Sequence, residues 1–290
     1  MDALAQTRPP VDRLPSADGL ALAVEVHGPA DGPCLVFSHG FGQTRGSWRA
    51  TATRLAGCGW RSVLFDARGH GDSGRQANGN YVLDDLVADL VAVVQAQSQP
   101  PVLIGASMGG LVSMVALAEQ PDLACRALVL VDITPRWETA GVDRILSYMR
   151  AFPHGFASLD EAAAAVAAYL PQRARRKSDA QLRALLRQAD DGRWRWHWDP
   201  ALLDSVAERH ADYQPRLMAA AGRIKVPTLL LSGGRSDVVS GDTVNEFRAL
   251  VPHAAHVELP QATHTLAGDD NDAFAREVER FLHSLSQTGT

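Results

Sequence analysis

The chain reads as an α/β protein: a mostly parallel central sheet flanked by helices, with a helical cap inserted late in the sequence. Three observations predict this. Short, near-continuous apolar runs alternate with helical patterns along most of the chain, as buried parallel strands joined by crossover helices require. The alternation stops between about Pro135 and Arg223, where only helical segments are found. A Gly-x-Ser-x-Gly run, Gly105-Ala106-Ser107-Met108-Gly109, stands directly after an apolar run, where a strand turns sharply into a helix.

Strands are predicted at 20–27, 33–38 and 61–65. A helix follows at 81–95, where Leu83, Leu86, Val87, Leu90 and Val94 recur at helical spacing and Asp84, Asp85 and Asp89 point elsewhere. The apolar run at 101–105 is a strand ending in the serine turn, and 109–118 is the helix behind it. The run at 127–131 closes the first part of the sheet. Helices are then expected at 142–151, 159–170, 179–188 and 200–211, with no convincing strand among them. Strands resume at 228–231 and 256–259. The last helix, about 272–285, faces inward with Phe274, Val278, Phe281 and Leu282, and Asp269, Asp270 and Asp272 suit its N-terminus. This divides the chain into a core of residues 1–134 and 224–290 and a cap of residues 135–223.

The 290 residues are 46% hydrophobic and 21% charged, an ordinary globular composition. The net charge of -5 argues against nucleic acid or an anionic membrane as partner. No run reaches the roughly 18 apolar residues of a membrane span. The first twenty residues hold Asp2, Arg8, Asp12 and Arg13 and no apolar block, so no secretory signal is expected. Cys34, Cys58 and Cys125 are scattered and lack metal spacing, which fits reduced, buried thiols in a cytoplasmic protein. The basic run Arg173-Ala174-Arg175-Arg176-Lys177 reads as a solvated cap surface.

A serine hydroxyl is a weak nucleophile and needs a base, which in turn needs an orienting group. In open α/β sheets such groups gather at the carboxyl ends of strands. Of the ten histidines, only His264 lies both after a late strand and before a terminal helix, so it is the expected base. His39 and His70 sit in tight glycine-flanked turns and are expected to shape them. His253, His256 and His283 lie at the wrong end of the last strand or within the last helix. Asp237, in the turn after the penultimate strand, is the expected orienting acid. Asp132, after the preceding strand, could serve instead. Asp66 is read with Arg68 as holding its own loop together. The oxyanion donors are expected to be the backbone N–H groups of Met108 and Phe41. Trp194, Trp196 and Trp198 alternate at period two, so they face one way if extended. They either cement the cap or form an aromatic wall for an apolar substrate group.

With these motifs in hand, the chain resembles the α/β-hydrolase family. The resemblance rests on His39-Gly40-Phe41, the stretch Asp66-Ala67-Arg68-Gly69-His70-Gly71-Asp72-Ser73, the Ser107 elbow, the helical insert, and Asp237 and His264. It implies a serine hydrolase acting on small, fairly apolar carboxylic esters, with neither metal nor organic cofactor. Members that open epoxides or displace halide carry aspartate at the elbow, where this chain has Ser107. Carbon–carbon hydrolases of ring-cleavage products share the triad, but Gly40-Phe41-Gly42-Gln43 lacks the Gly-Pro that many of them show. Cofactor-free perhydrolases resemble the chain through Ser107-Met108-Gly109-Gly110. A ligand receptor built on the same fold is the non-catalytic alternative.

Overall fold

A computed structural model describes residues 10–169, 177–264 and 272–287. Its centre is an eight-stranded sheet in the order β1-β2-β4-β3-β5-β6-β9-β10. The strands are β1 (Asp12–Pro15), β2 (Ala21–His27), β3 (Cys34–Ser38), β4 (Arg61–Phe65), β5 (Val102–Ala106), β6 (Ala127–Val131), β9 (Thr228–Gly233) and β10 (Ala255–Leu259). From β4 to β10 all neighbours are parallel, whereas β2 pairs antiparallel with both β1 and β4. All five residues of β3, β5 and β6 are buried, which explains their unbroken apolar sequences.

Alternate residues of each strand feed opposite layers. On one face, Val36, Leu103, Leu128 and Leu130 pack with α2 (Leu83–Gln95), α3 (Met108–Glu119) and α8 (Gly241–Leu250). On the other, Leu35, Phe37, Val102, Ile104 and Val129 pack with α1 (Arg49–Gly57) and α9 (Asp272–Gln287). Asp89 departs from the expected solvent face of α2: it is 1% exposed and paired with Arg68.

The insert between β6 and β9 contains α4 (Thr139–Arg150), α5 (Leu159–Tyr169), α6 (Asp179–Arg183) and α7 (Ala201–Ala221). It is not purely helical. The helix expected at 179–188 stops at Arg183, and β7 (Leu186–Gln188) pairs antiparallel with β8 (Trp194–Trp196). Helix α7 runs ten residues past the expected end at 211, through Pro215. Its last turns, with Leu217, Ala220 and Ala221, belong to the main core beside the sheet. The basic run at 173–176 and the acidic residues Asp269 and Asp270 lie outside the described residues. Cys34 is buried as expected, but Cys58 is exposed. Among the described residues, no helix is long and apolar enough to cross a membrane.

Candidate active site

The loops that follow β3, β4, β5, β6, β9 and β10 meet at one edge of the sheet. Ser107 stands between β5 and α3 with φ 47° and ψ -119°, in the left-handed half of backbone space that side chains rarely adopt. The flanking glycines permit this turn. A Cβ on Gly105 would lie 2.6 Å from the carbonyl oxygen of Gly109, and one on Gly109 would lie 2.3 Å from that of Ser38. Both obstacles are backbone and cannot step aside. Gly109→Ala should therefore destabilise the fold by about 1–3 kcal/mol or more through overpacking. Thermal unfolding checks this, and an unchanged Tm would contradict the packing described.

His264, in the turn after β10, bridges two groups. Its Nε2 lies 3.1 Å from Ser107 Oγ and its Nδ1 lies 2.7 Å from Asp132 Oδ2. The expectation for the acid is thus corrected: the carboxylate at His264 belongs to Asp132, not Asp237. Asp132 follows β6 with φ 51°, a sharp reversal that turns its side chain toward the end of β9. There the carboxylate, fully buried, accepts from Gly233 N–H at 2.7 Å and from Ser236 Oγ at 2.5 Å. Together with His264 these are three donors converging on one carboxylate, which fixes its orientation. Asp237 instead faces Arg144 of α4 at 3.3 Å. Ser236, one residue earlier, was missed by sequence reasoning, since a hydroxyl that steadies an acid leaves no motif.

Met108 opens α3, so its N–H is among those a helix leaves without an intrahelical partner. The loop after β3 passes close by: a Cβ on Gly40 would stand 3.3 Å from Ser107 Cβ. The backbone between Gly40 and Phe41 thereby borders the nucleophile.

His39 and His70 shape their turns as expected. Asp66 and Arg68 do not hold each other. Asp66 pairs with Arg45, and Arg68 pairs with Asp89 at 2.6 Å and Asp18 at 2.9 Å. Arg68 thus ties the loop to elements outside it, whereas Asp66 also holds its own loop together as expected, its Oδ2 accepting from Asp72 N–H at 2.9 Å.

A cavity of about 140 Å³ opens beside Ser107 and His264. Its floor comes from the first turn of α3 (Met108, Leu111) and the loops after β6 and β9 (Ile133, Val238), its walls from Val142, Ile145 and Leu146 of α4 and from Leu202, Tyr213 and Leu217 of α7. Among the described residues, no carboxylate, guanidinium or ammonium lines it. The three tryptophans do not line it either, which corrects the aromatic-wall alternative. Trp194 pairs through its backbone with Phe156 and lies under Arg183, at 4.7 Å from ring centroid to guanidinium carbon. Trp196 stacks on Trp198 at 6.2 Å, and Trp198 packs 6.0 Å from Phe41. They cement the insert and brace the loop after β3.

A sharp serine turn, an apposed histidine and a buried acid at the strand ends of a mostly parallel sheet define a hydrolase-type site. The chain belongs to the alpha/beta hydrolase fold family, whose model matches residues 33–270, and is a hydrolase of that type. It is 32% identical over 249 residues to a 3-hydroxybutyrate-oligomer hydrolase of Cupriavidus necator, covering 81% of this chain and 84% of that protein. It is 31% identical over 274 residues to an sn-1-specific diacylglycerol lipase, ABHD11, of Mus musculus, covering 88% and 82%. Among solved structures, an E-2-(acetamidomethylene)succinate hydrolase superposes with a TM-score of 0.82 at 24% identity, over 94% of this chain and 99% of that one.

Proposed function

We propose that the protein is a serine hydrolase of carboxylic esters with an uncharged, apolar acyl group. The observation that carries this is the chain of contacts from Ser107 Oγ through His264 to Asp132 at the mouth of an apolar cavity. Ser107 attacks the ester carbonyl, and His264 takes the hydroxyl proton and returns it to the leaving alcohol. Asp132 holds His264 with its proton on Nδ1 and stabilises the imidazolium that forms. The N–H groups of Phe41 and Met108 receive the developing oxyanion. Water, activated by His264, then releases the acid. The insert acts as the cap over this site. The two curated relatives named above are both called after substrates joined by ester bonds, which supports the same reading.

The cavity selects among ester classes. An apolar acyl chain gains about 0.8 kcal/mol per buried CH₂, roughly fourfold in affinity. A carboxylate on the acyl side would be buried without a partner, at a cost of several kcal/mol. The same lack of charged lining among the described residues disfavours the carbon–carbon hydrolase alternative, whose leaving carbon must first be ketonised by added catalytic groups. p-Nitrophenyl butyrate and hexanoate should therefore turn over with kcat/KM of at least about 10⁴ M⁻¹s⁻¹. The mono-p-nitrophenyl ester of succinate should be at least about 100-fold slower, given that cost of an unpaired buried charge. Equal rates for the succinyl and butyryl esters, or faster turnover of a ring-cleavage dienone than of any ester, would overturn the reading.

A further inference from the structure

Three buried histidines hold three successive peptide groups of the loop that borders Ser107. The peptide carrying Phe41 N–H has its carbonyl, Gly40 O, within 2.8 Å of His39 Nδ1, and Gln43 N–H donates to that same oxygen at 3.1 Å. In the next peptide, Gly42 N–H donates to His70 Nε2 at 3.1 Å. In the third, Gly42 O lies 3.1 Å from His197 Nε2.

The tautomer of His197 follows from its other side. Gly71 N–H donates to Nδ1 at 2.9 Å, so Nδ1 carries no hydrogen and Nε2–H donates to Gly42 O. Burial pushes the His197 pKa down to about 3, so the ring stays neutral. His39 and His70 belong to loops at the sheet edge. His197 comes from the insert, one residue beyond β8, and is 2% exposed. It takes no part in proton transfer at Ser107. Gly42 is left-handed at φ 72°, and Met149 and Trp198 crowd the place a side chain would occupy. A glycine turn in that region is soft unless its polar atoms are tied down.

We propose that His197 is a positioning residue that aims Phe41 N–H at the substrate oxyanion by holding Gly42 O. The seating of the insert is thereby coupled to the oxyanion hole. This rests on the ester-hydrolase reading above. A donor that drifts by about 1 Å loses much of the stabilisation it gives, because the benefit depends on its being in place before charge develops.

The test compares His197→Asn with His197→Gln in the full-length protein. Asparagine can still accept from Gly71 N–H but is too short to reach Gly42 O, whereas the glutamine amide can donate at about the position of Nε2. The substrate is p-nitrophenyl butyrate. The second probe is an alkyl trifluoromethyl ketone, to whose carbonyl Ser107 adds as its proton passes to His264, leaving an oxyanion in the hole. His197→Asn should lower kcat by about 10- to 100-fold with KM changed less than about twofold, and should raise the ketone Ki by the same factor. His197→Gln should stay within about fivefold of the parent in both. A folded His197→Asn with parental kcat and Ki overturns the proposal. So do equal losses in the two variants, or a failure of both to fold, which would assign His197 to stability alone. A ketone that does not inhibit the parent protein would instead overturn the oxyanion-hole reading beneath it.

Discussion

Ser107→Ala should lower kcat for p-nitrophenyl butyrate by at least about 10⁴-fold and abolish labelling by a fluorophosphonate, because the reaction has no other route to an acyl-enzyme. Ser107 Oγ stands 3.1 Å from His264 Nε2, at the lip of the cavity. Three other serines near the site are committed elsewhere. Ser113 Oγ donates back to Gly109 O inside α3, Ser205 Oγ to Ala201 O inside α7, and Ser236 Oγ to Asp132. None of the three is bonded to a histidine as Ser107 is. The variant should keep its Tm, since alanine removes one hydroxyl and leaves the φ of 47° that the neighbouring glycines already accommodate. Labelling that survives in Ser107→Ala would move the nucleophile and remove the proposed chemistry. Labelling lost together with folding would be read from the unfolding curve.

How much of this site could be read before the fold was known depended on how each residue is marked. Ser107 is marked twice, by the apolar run before it and by glycines whose Cβ atoms would strike backbone. His264 is marked by position, after the last strand and before the last helix. The parallel strands are legible because both of their faces are covered, so their sequences are apolar without interruption. The acid carries no such mark. Asp132 and Asp237 both follow a strand, and both fit the order serine, acid, histidine. What separates them is the reversal at Asp132 and the approach of Gly233 and Ser236 from the neighbouring strand, which is tertiary information. The β7–β8 hairpin is hidden for a different reason. Its strands are three residues each, and Leu182, Leu185 and Leu186 continue a helical spacing across the boundary. Helices α1 and α8 go unnoticed because arginine, threonine, asparagine and small residues dilute their apolar stripes. The role of His197 is equally silent, since it lies 155 positions from the glycine it holds.

The choice of acid makes the second large prediction. Asp132→Asn should lower kcat by about 10⁴-fold, whereas Asp237→Asn should change it by no more than about threefold. Asp132 Oδ1 accepts from Gly233 N–H, a backbone donor that cannot rotate. The asparagine oxygen must therefore occupy that side, which places its amide nitrogen opposite His264 Nδ1. An N–H facing Nδ1 forces the histidine proton onto Nε2, where it blocks acceptance of the proton from Ser107. Ser236 tolerates the exchange, because its hydroxyl can turn to accept from the new amide. The fold should survive and the chemistry should not. At Asp237 the ionic partner among the described residues is Arg144, and the two side chains are 33% and 50% exposed. Such a pair contributes about 0–1 kcal/mol, and its loss touches neither His264 nor the cavity floor. Circular dichroism separates folding from catalysis in both variants, and kcat on a single ester ranks them. A large loss in Asp237→Asn with near-parental turnover in Asp132→Asn would mean that the working enzyme turns His264 toward the other carboxylate. In that case the geometry at Asp132 would be a resting arrangement, not the catalytic one.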